Sequence, residues 1–165
     1  MAIDTLRRAI HFVVLCLAQA LVFNHVHLFG YAMALLYVYF VVIFPRNYPR
    51  WAILLWSFAL GLSVDIFANT PGMAAASLTL VGFLQPYLLE LFLPRDAVDN
   101  IKSSVASLGF TKFLTLASIL VFVQCLVFFT IESFSFFNWQ EWALTVVGST
   151  ILTLVLLLTV ESIRR

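Results

Sequence analysis

The sequence predicts an all-α, polytopic membrane protein with six transmembrane helices, and three observations carry that prediction. Hydrophobic residues make up 63% of the 165 positions and charged ones only 10%, against about 25% charged in a water-soluble domain. Charges are absent from long stretches of the chain. Every Lys and Arg falls on one side of the six spans that those stretches define. The same composition excludes a soluble enzyme, a disordered segment and a nucleic-acid binder. The net charge of +1 reflects a scarcity of charge, not a basic surface.

Each span follows from where charge is missing, because a charge at the bilayer centre costs roughly 2.5–3.5 kcal/mol on insertion scales. Residues 9–45 hold no Asp, Glu, Lys or Arg, and one span needs about 20 residues. This run therefore predicts two helices, near 8–24 and 28–44, with a turn at Asn24, His25, His27 and Gly30. Further charge-free runs at 51–64, 66–89, 113–131 and 142–160 predict helices near 51–67, 71–93, 110–131 and 140–161. Asn69-Thr70-Pro71-Gly72 supplies the turn after the third helix, with Thr70 as N-cap and Pro71 as first residue of the fourth. None of these runs alternates apolar and polar residues as a membrane barrel strand must. In lipid, continuous apolar segments satisfy their own backbone bonds as helices. Arg7-Arg8, the apolar run and Ala18-Gln19-Ala20 resemble a cleavable leader, but the run continues through Leu21-Val22-Phe23, which argues for a retained span.

With six spans both termini share a side, and all nine basic residues lie there: Arg7, Arg8, Arg46, Arg50, Arg95, Lys102, Lys112, Arg164 and Arg165. The positive-inside rule makes that side cytoplasmic. Tyr48 and Trp51 then fall at the inner interface, and Tyr31, Trp139 and Trp142 at the outer one. The connection 94–109, with Val98, Ile101, Val105 and Leu108, is amphipathic enough for a short helix along the cytoplasmic surface.

Within the spans, polar residues are few and informative. Asp65 ends the third helix, where its charge opposes the helix dipole, and the amides opening the fourth helix form an anion site. Asp65 is therefore expected to fold back onto the turn and set the angle between helices three and four. Ser57, Gly61 and Asp65 recur every four residues on one face, opposite Gly72, Ala74, Ala75, Ala76 and Ser77. Small residues let membrane helices approach closely, which predicts a tight hairpin. Gln85-Pro86 predicts a kink, and Glu90 is placed to pair with Arg95. Gln19, Asn24, Asn69 and Gln124 lie in the outer half with Asp65, as interhelical hydrogen-bonding groups or as the lining of an outward pocket. His25 and His27 are too few ligands for a metal. Cys16 and Cys125 lie at mid-bilayer, where no disulfide is expected. No triad, paired carboxylates or phosphate loop is visible, so neither catalysis nor a cofactor is expected.

Gly61-Leu62-Ser63-Val64-Asp65-Ile66-Phe67, followed by Thr70-Pro71-Gly72-Met73-Ala74-Ala75, resembles the bacterial rod shape-determining MreD family. The resemblance extends to small size, six spans and a basic Pro-Arg loop before helix three, and its motif residues are Gly61, Leu62, Asp65 and Gly72. It implies a non-enzymatic subunit of the cell-elongation machinery in the bacterial cytoplasmic (inner) membrane. That subunit binds the single-span scaffold MreC directly. MreB filaments, the glycosyltransferase RodA and its class B penicillin-binding transpeptidase belong to the same complex, less directly, and membrane lipid surrounds it. The family also resembles in fold the S components of energy-coupling-factor transporters, which gives the alternative of a vitamin-binding subunit. S components dock through an Ala-x-x-x-Ala pattern on their first helix. Helix one here has Ala9, Ala18 and Ala20 and no such spacing, which favours the scaffold.

The six-span count makes a topological prediction. A tag placed after Arg165 is expected to be unreachable by impermeant reagents from outside intact cells, and labelling there overturns both count and orientation.

Overall fold

The computed structural model describes residues 2–21, 27–28, 32–33, 37–42, 44, 48–69, 72–93, 95–96, 108–133 and 139–164. Among these, six helices occur in the order α1 (Ala2–Leu21), α2 (Val38–Val42), α3 (Arg50–Ala68), α4 (Met73–Phe92), α5 (Phe110–Ser133) and α6 (Trp139–Arg164). Four of them, α3 to α6, are long and apolar enough to cross a membrane. Their bounds lie within three residues of those expected from charge-free runs. Successive long helices pack as neighbours, α3 on α4, α4 on α5 and α5 on α6, while α1 lies against α3 and α2.

The first two spans differ from expectation. Helix α1 begins at Ala2, not near residue 8, and carries Asp4 in its first turn, where a negative charge favours the helix dipole. Only Val38–Val42 of the expected helix 28–44 is α-helical among the described residues. Ahead of it, His27–Leu28 and Ala32–Met33 form a two-residue antiparallel pair, His27 opposite Met33 and Leu28 opposite Ala32. Lack of charge marks a segment as removed from water, but not as facing lipid. Here the second strand lies beside α6, and every described residue of α2 is buried. Non-helical backbone at membrane depth is tolerated where protein encloses it. Phe44, just past α2, gives its carbonyl to the buried Gln85 side-chain amide at 3.1 Å. Pro86 sits inside α4, which continues to Phe92.

Polarity is distributed inside out. Exposed positions along the middle of α6 are apolar, at Leu144, Val147, Ile151 and Val155, while Ser149, Thr150, Thr153 and Glu161 are buried. An apolar exterior of this extent fits lipid contact, and the protein is a multi-pass membrane protein. Many hydroxyls in these helices bond the carbonyl one turn back, as Ser57 does to Ile53 at 2.7 Å and Thr150 to Val146 at 2.7 Å. Each hydroxyl is thus satisfied within its own helix.

The α3–α4 contact is set by glycine. A Cβ on Gly61 would lie 2.6 Å from the Ala75 Cα and 2.7 Å from the Ala74 carbonyl oxygen, both backbone atoms with nowhere to move. Gly82 of α4 meets Ser57 of α3 as closely from the other side. At the opposite end of this hairpin Arg50 pairs with Glu90 at 3.5 Å and lies over the Tyr87 ring. Glu90 therefore bridges α4 to α3 and not to Arg95 as expected, because the helix pairing brings Arg50 alongside it.

Gly61→Ala is expected to lower the thermal midpoint of the detergent-solubilised protein, at an overpacking cost of about 1–3 kcal/mol. An unchanged midpoint means that the helices do not meet here.

Candidate functional site

The site is built where α3 turns into α4. Asn69 closes α3 in the left-handed conformation (φ 57°, ψ 39°), its amide donating to the Asp65 carbonyl. Asn tolerates this conformation better than most residues. Gly72 then opens α4 at φ 81°, where a side chain would be strained. Gly72, not Thr70, is the N-cap residue, and it has no side chain with which to cap. Thr70 and Pro71 lie outside the described residues.

Asp65 supplies what the cap lacks. Its carboxylate accepts from the Ala74 amide at 2.8 Å (Oδ1) and from the Ala75 amide at 3.0 Å (Oδ2). These are the second and third amides of α4, the donors that an N-cap side chain normally serves. Asp65 thus caps the next helix from the end of its own. The residue is 3% exposed, so its charge is satisfied by oriented amides and the positive end of the α4 dipole rather than by water. The fold-back expected of Asp65 is present, with its targets two and three residues beyond the Asn69-to-Gly72 turn, inside α4.

One turn further along α4, Ser77 donates to the Met73 carbonyl at 2.8 Å. It accepts from the Gln124 side-chain amide of α5 at 3.0 Å, and the same amide donates to the Tyr37 hydroxyl at 2.9 Å. Gln124 is fully buried, and its Oε1 has no hydrogen-bond partner among the described residues. Four segments therefore meet through polar contacts in the interior: the end of α3, the start of α4, the middle of α5 and the residue before α2.

The sequence-derived residues divide in this frame. Ser57, Gly61 and Asp65 share the α3 face against α4, and Gln124 joins them through Ser77. Leu62 points outward and Asn69 is exposed, its backbone terminating α3. Gln19 is buried in α1. Asn24 and His25 lie outside the described residues, and for His27 only the backbone is described. Cys16 and Cys125 are both free thiols. Among the described residues no three His, Cys, Asp or Glu side chains come together as metal ligands.

Sequence reasoning missed two buried features. Tyr39 donates to Glu161 Oε2 at 2.6 Å, which ties α2 to the far end of α6. Glu161 is 5% exposed. The available signal was a lone acid after the uninterrupted apolar run of α6, and it reads equally well as the end of a span. Tyr37 carried no signal, since its role depends on Gln124, 87 residues away.

No family model, curated protein or solved structure matches the chain.

Asp65→Ala leaves two buried amides without an acceptor and is expected to destabilise the protein by about 2–4 kcal/mol. Asp65→Asn, which keeps one acceptor oxygen, should fall between Ala and wild type, since hydrogen bonds to charged groups are worth roughly 1.5–3 kcal/mol. Urea or thermal unfolding in detergent reads both. Equal stability of all three proteins removes the carboxylate from its structural role.

Proposed function

We propose that this chain is a non-enzymatic scaffold subunit of MreD type. In this reading it lies in the bacterial cytoplasmic membrane with both termini inside, and it holds MreC within the cell-elongation complex that builds lateral peptidoglycan. The observation that supports the reading best is the Asp65 cap. The Gly-Leu-x-x-Asp motif and the small-residue start of α4 are parts of one device, in which Gly61 admits the α4 backbone and Asp65 locks its first turn. Such a hairpin is a rigid surface suited to holding another helix, and its outer side presents apolar residues at Leu55, Phe58, Leu62 and Ile66. A single-span partner fits a face of this kind through van der Waals packing in lipid.

The basic residues support the orientation, because six spans put them all on one side. MreB, RodA and the class B transpeptidase join the same assembly through MreC rather than through a soluble surface of this chain. Chemistry on a wall precursor has no support in the described side chains. Among the described residues the two buried carboxylates, Asp65 and Glu161, each accept from a protein donor.

Co-expression with an MreC-type partner tests the proposal. The full chain is expected to retain the partner through detergent purification, and Leu62→Asn or Phe58→Asn, which leave the Asp65 cap intact, to weaken retention several-fold. Failure of the wild-type chain to retain the partner overturns the scaffold reading.

A further inference from the structure

At the end of the bundle that carries Arg50 and Glu90, the start of α1 is docked by an arginine. The Arg8 guanidinium lies 3.9 Å from the Tyr48 ring centroid and 5.3 Å from that of Phe44. These two rings are themselves stacked at 5.1 Å. The shelf is fixed from beneath, since the Trp56 indole donates to the Tyr48 hydroxyl at 3.0 Å and the Phe44 carbonyl is held by Gln85. Arg8 is half-buried. Among the described residues its guanidinium makes no ion pair and no hydrogen bond, although Asp4 stands one helical turn before it. The contrast with Arg50 is direct: that side chain also lies on a ring, at 4.7 Å from Tyr87, but Glu90 neutralises it.

Stacking on an aromatic face satisfies the π-system of a guanidinium and leaves its planar fork of N–H donors unused. That fork matches the oxygens of a phosphate in bidentate fashion. Beyond Arg8, α1 leaves Ile10, Val13, Val14 and Leu17 exposed, an apolar face on which acyl chains can lie beside an anion held at Arg8.

We infer that Arg8, held on the Tyr48–Phe44 shelf, is a binding site for the phosphate group of an anionic phospholipid. The ligand's phosphodiester meets the guanidinium fork at the interface and its chains lie along the exposed face of α1. Bound there, the lipid neutralises the unpaired cation and fastens α1 to the α2–α3 corner. The site rests on the membrane setting and not on the scaffold proposal.

Thermal unfolding of the full chain in neutral detergent tests this, with phosphatidylglycerol, phosphatidylcholine or sodium phosphate added. Phosphatidylglycerol is expected to raise the midpoint clearly more than phosphatidylcholine, and inorganic phosphate to leave it unmoved. Arg8→Gln should remove at least half of the phosphatidylglycerol-specific shift. Tyr48→Leu, which alters no charge, should do the same, and Arg7→Gln should preserve it. Because each variant is read as the difference between two lipids, its basal stability drops out. Arg8→Lys keeps the charge without the fork and is expected to retain an intermediate preference, which provides a second reading should the Tyr48 variant fail to fold. Equal losses in Arg7→Gln and Arg8→Gln mean diffuse charge attraction and overturn the site. An equal response to both lipids overturns it too, and a matching shift with inorganic phosphate overturns its assignment to lipid.

Discussion

Two hydrogen bonds accepted by one carboxylate hold the geometry of this protein. An ionised side chain in a membrane interior is costly unless oriented dipoles replace water, and Asp65 obtains them from the first turn of the following helix. The exchange is mutual. The helix start gains acceptors for amides that have none within the helix, and the carboxylate gains donors and the favourable end of a dipole. Because the contact joins the end of α3 to the start of α4, it fixes how the chain reverses. Gly61 makes the close approach possible: a Cβ there would meet the backbone of Ala74 and Ala75, the two residues whose amides Asp65 binds.

From that corner the interior polar groups form a connected series. Ala74 and Ala75 are bound by Asp65, Ser77 lies one turn below, and Gln124 spans from Ser77 to Tyr37. Lipid cannot hydrogen-bond to these groups, so their partners come from other segments of the protein or from the preceding turn of the same helix. Apolar packing between helices has little directional preference where the surrounding solvent is equally apolar. The polar pairs are what distinguish one arrangement of the helices from another. Tyr39 with Glu161 does the same at the far end of α6.

A cluster of aromatic residues lies at the opposite end, beside Arg8 and Arg50. Phe12, Phe40, Phe44, Tyr48 and Trp56 form a chain of ring contacts across α1, α2 and α3. Arg8 completes it from above. Helix α1 is amphipathic and lies at the edge of the bundle, so its attachment rests more on this cluster than on a helix–helix seam like that of α3 and α4.

Much of this was legible in the chain alone, for a local reason. Charge is excluded from lipid whatever the neighbours are, so charge-free runs placed α3 to α6 closely, and the four-residue spacing of Ser57, Gly61 and Asp65 marked the face of α3 that meets α4. What depends on neighbours was not legible. A run without charge looks the same whether it faces lipid or other helices, so the short α2 and the strand pair before it emerge only in three dimensions. Thr70 has the chemistry of a cap, yet Asp65 performs the capping because the returning helix presents its amides there. Glu90 finds Arg50 rather than Arg95, and Gln124 finds Tyr37, because hydrogen bonds and ion pairs select what is close in space. Residue type and spacing determined which segments leave water; the packing of the helices decided which polar groups meet once they are there.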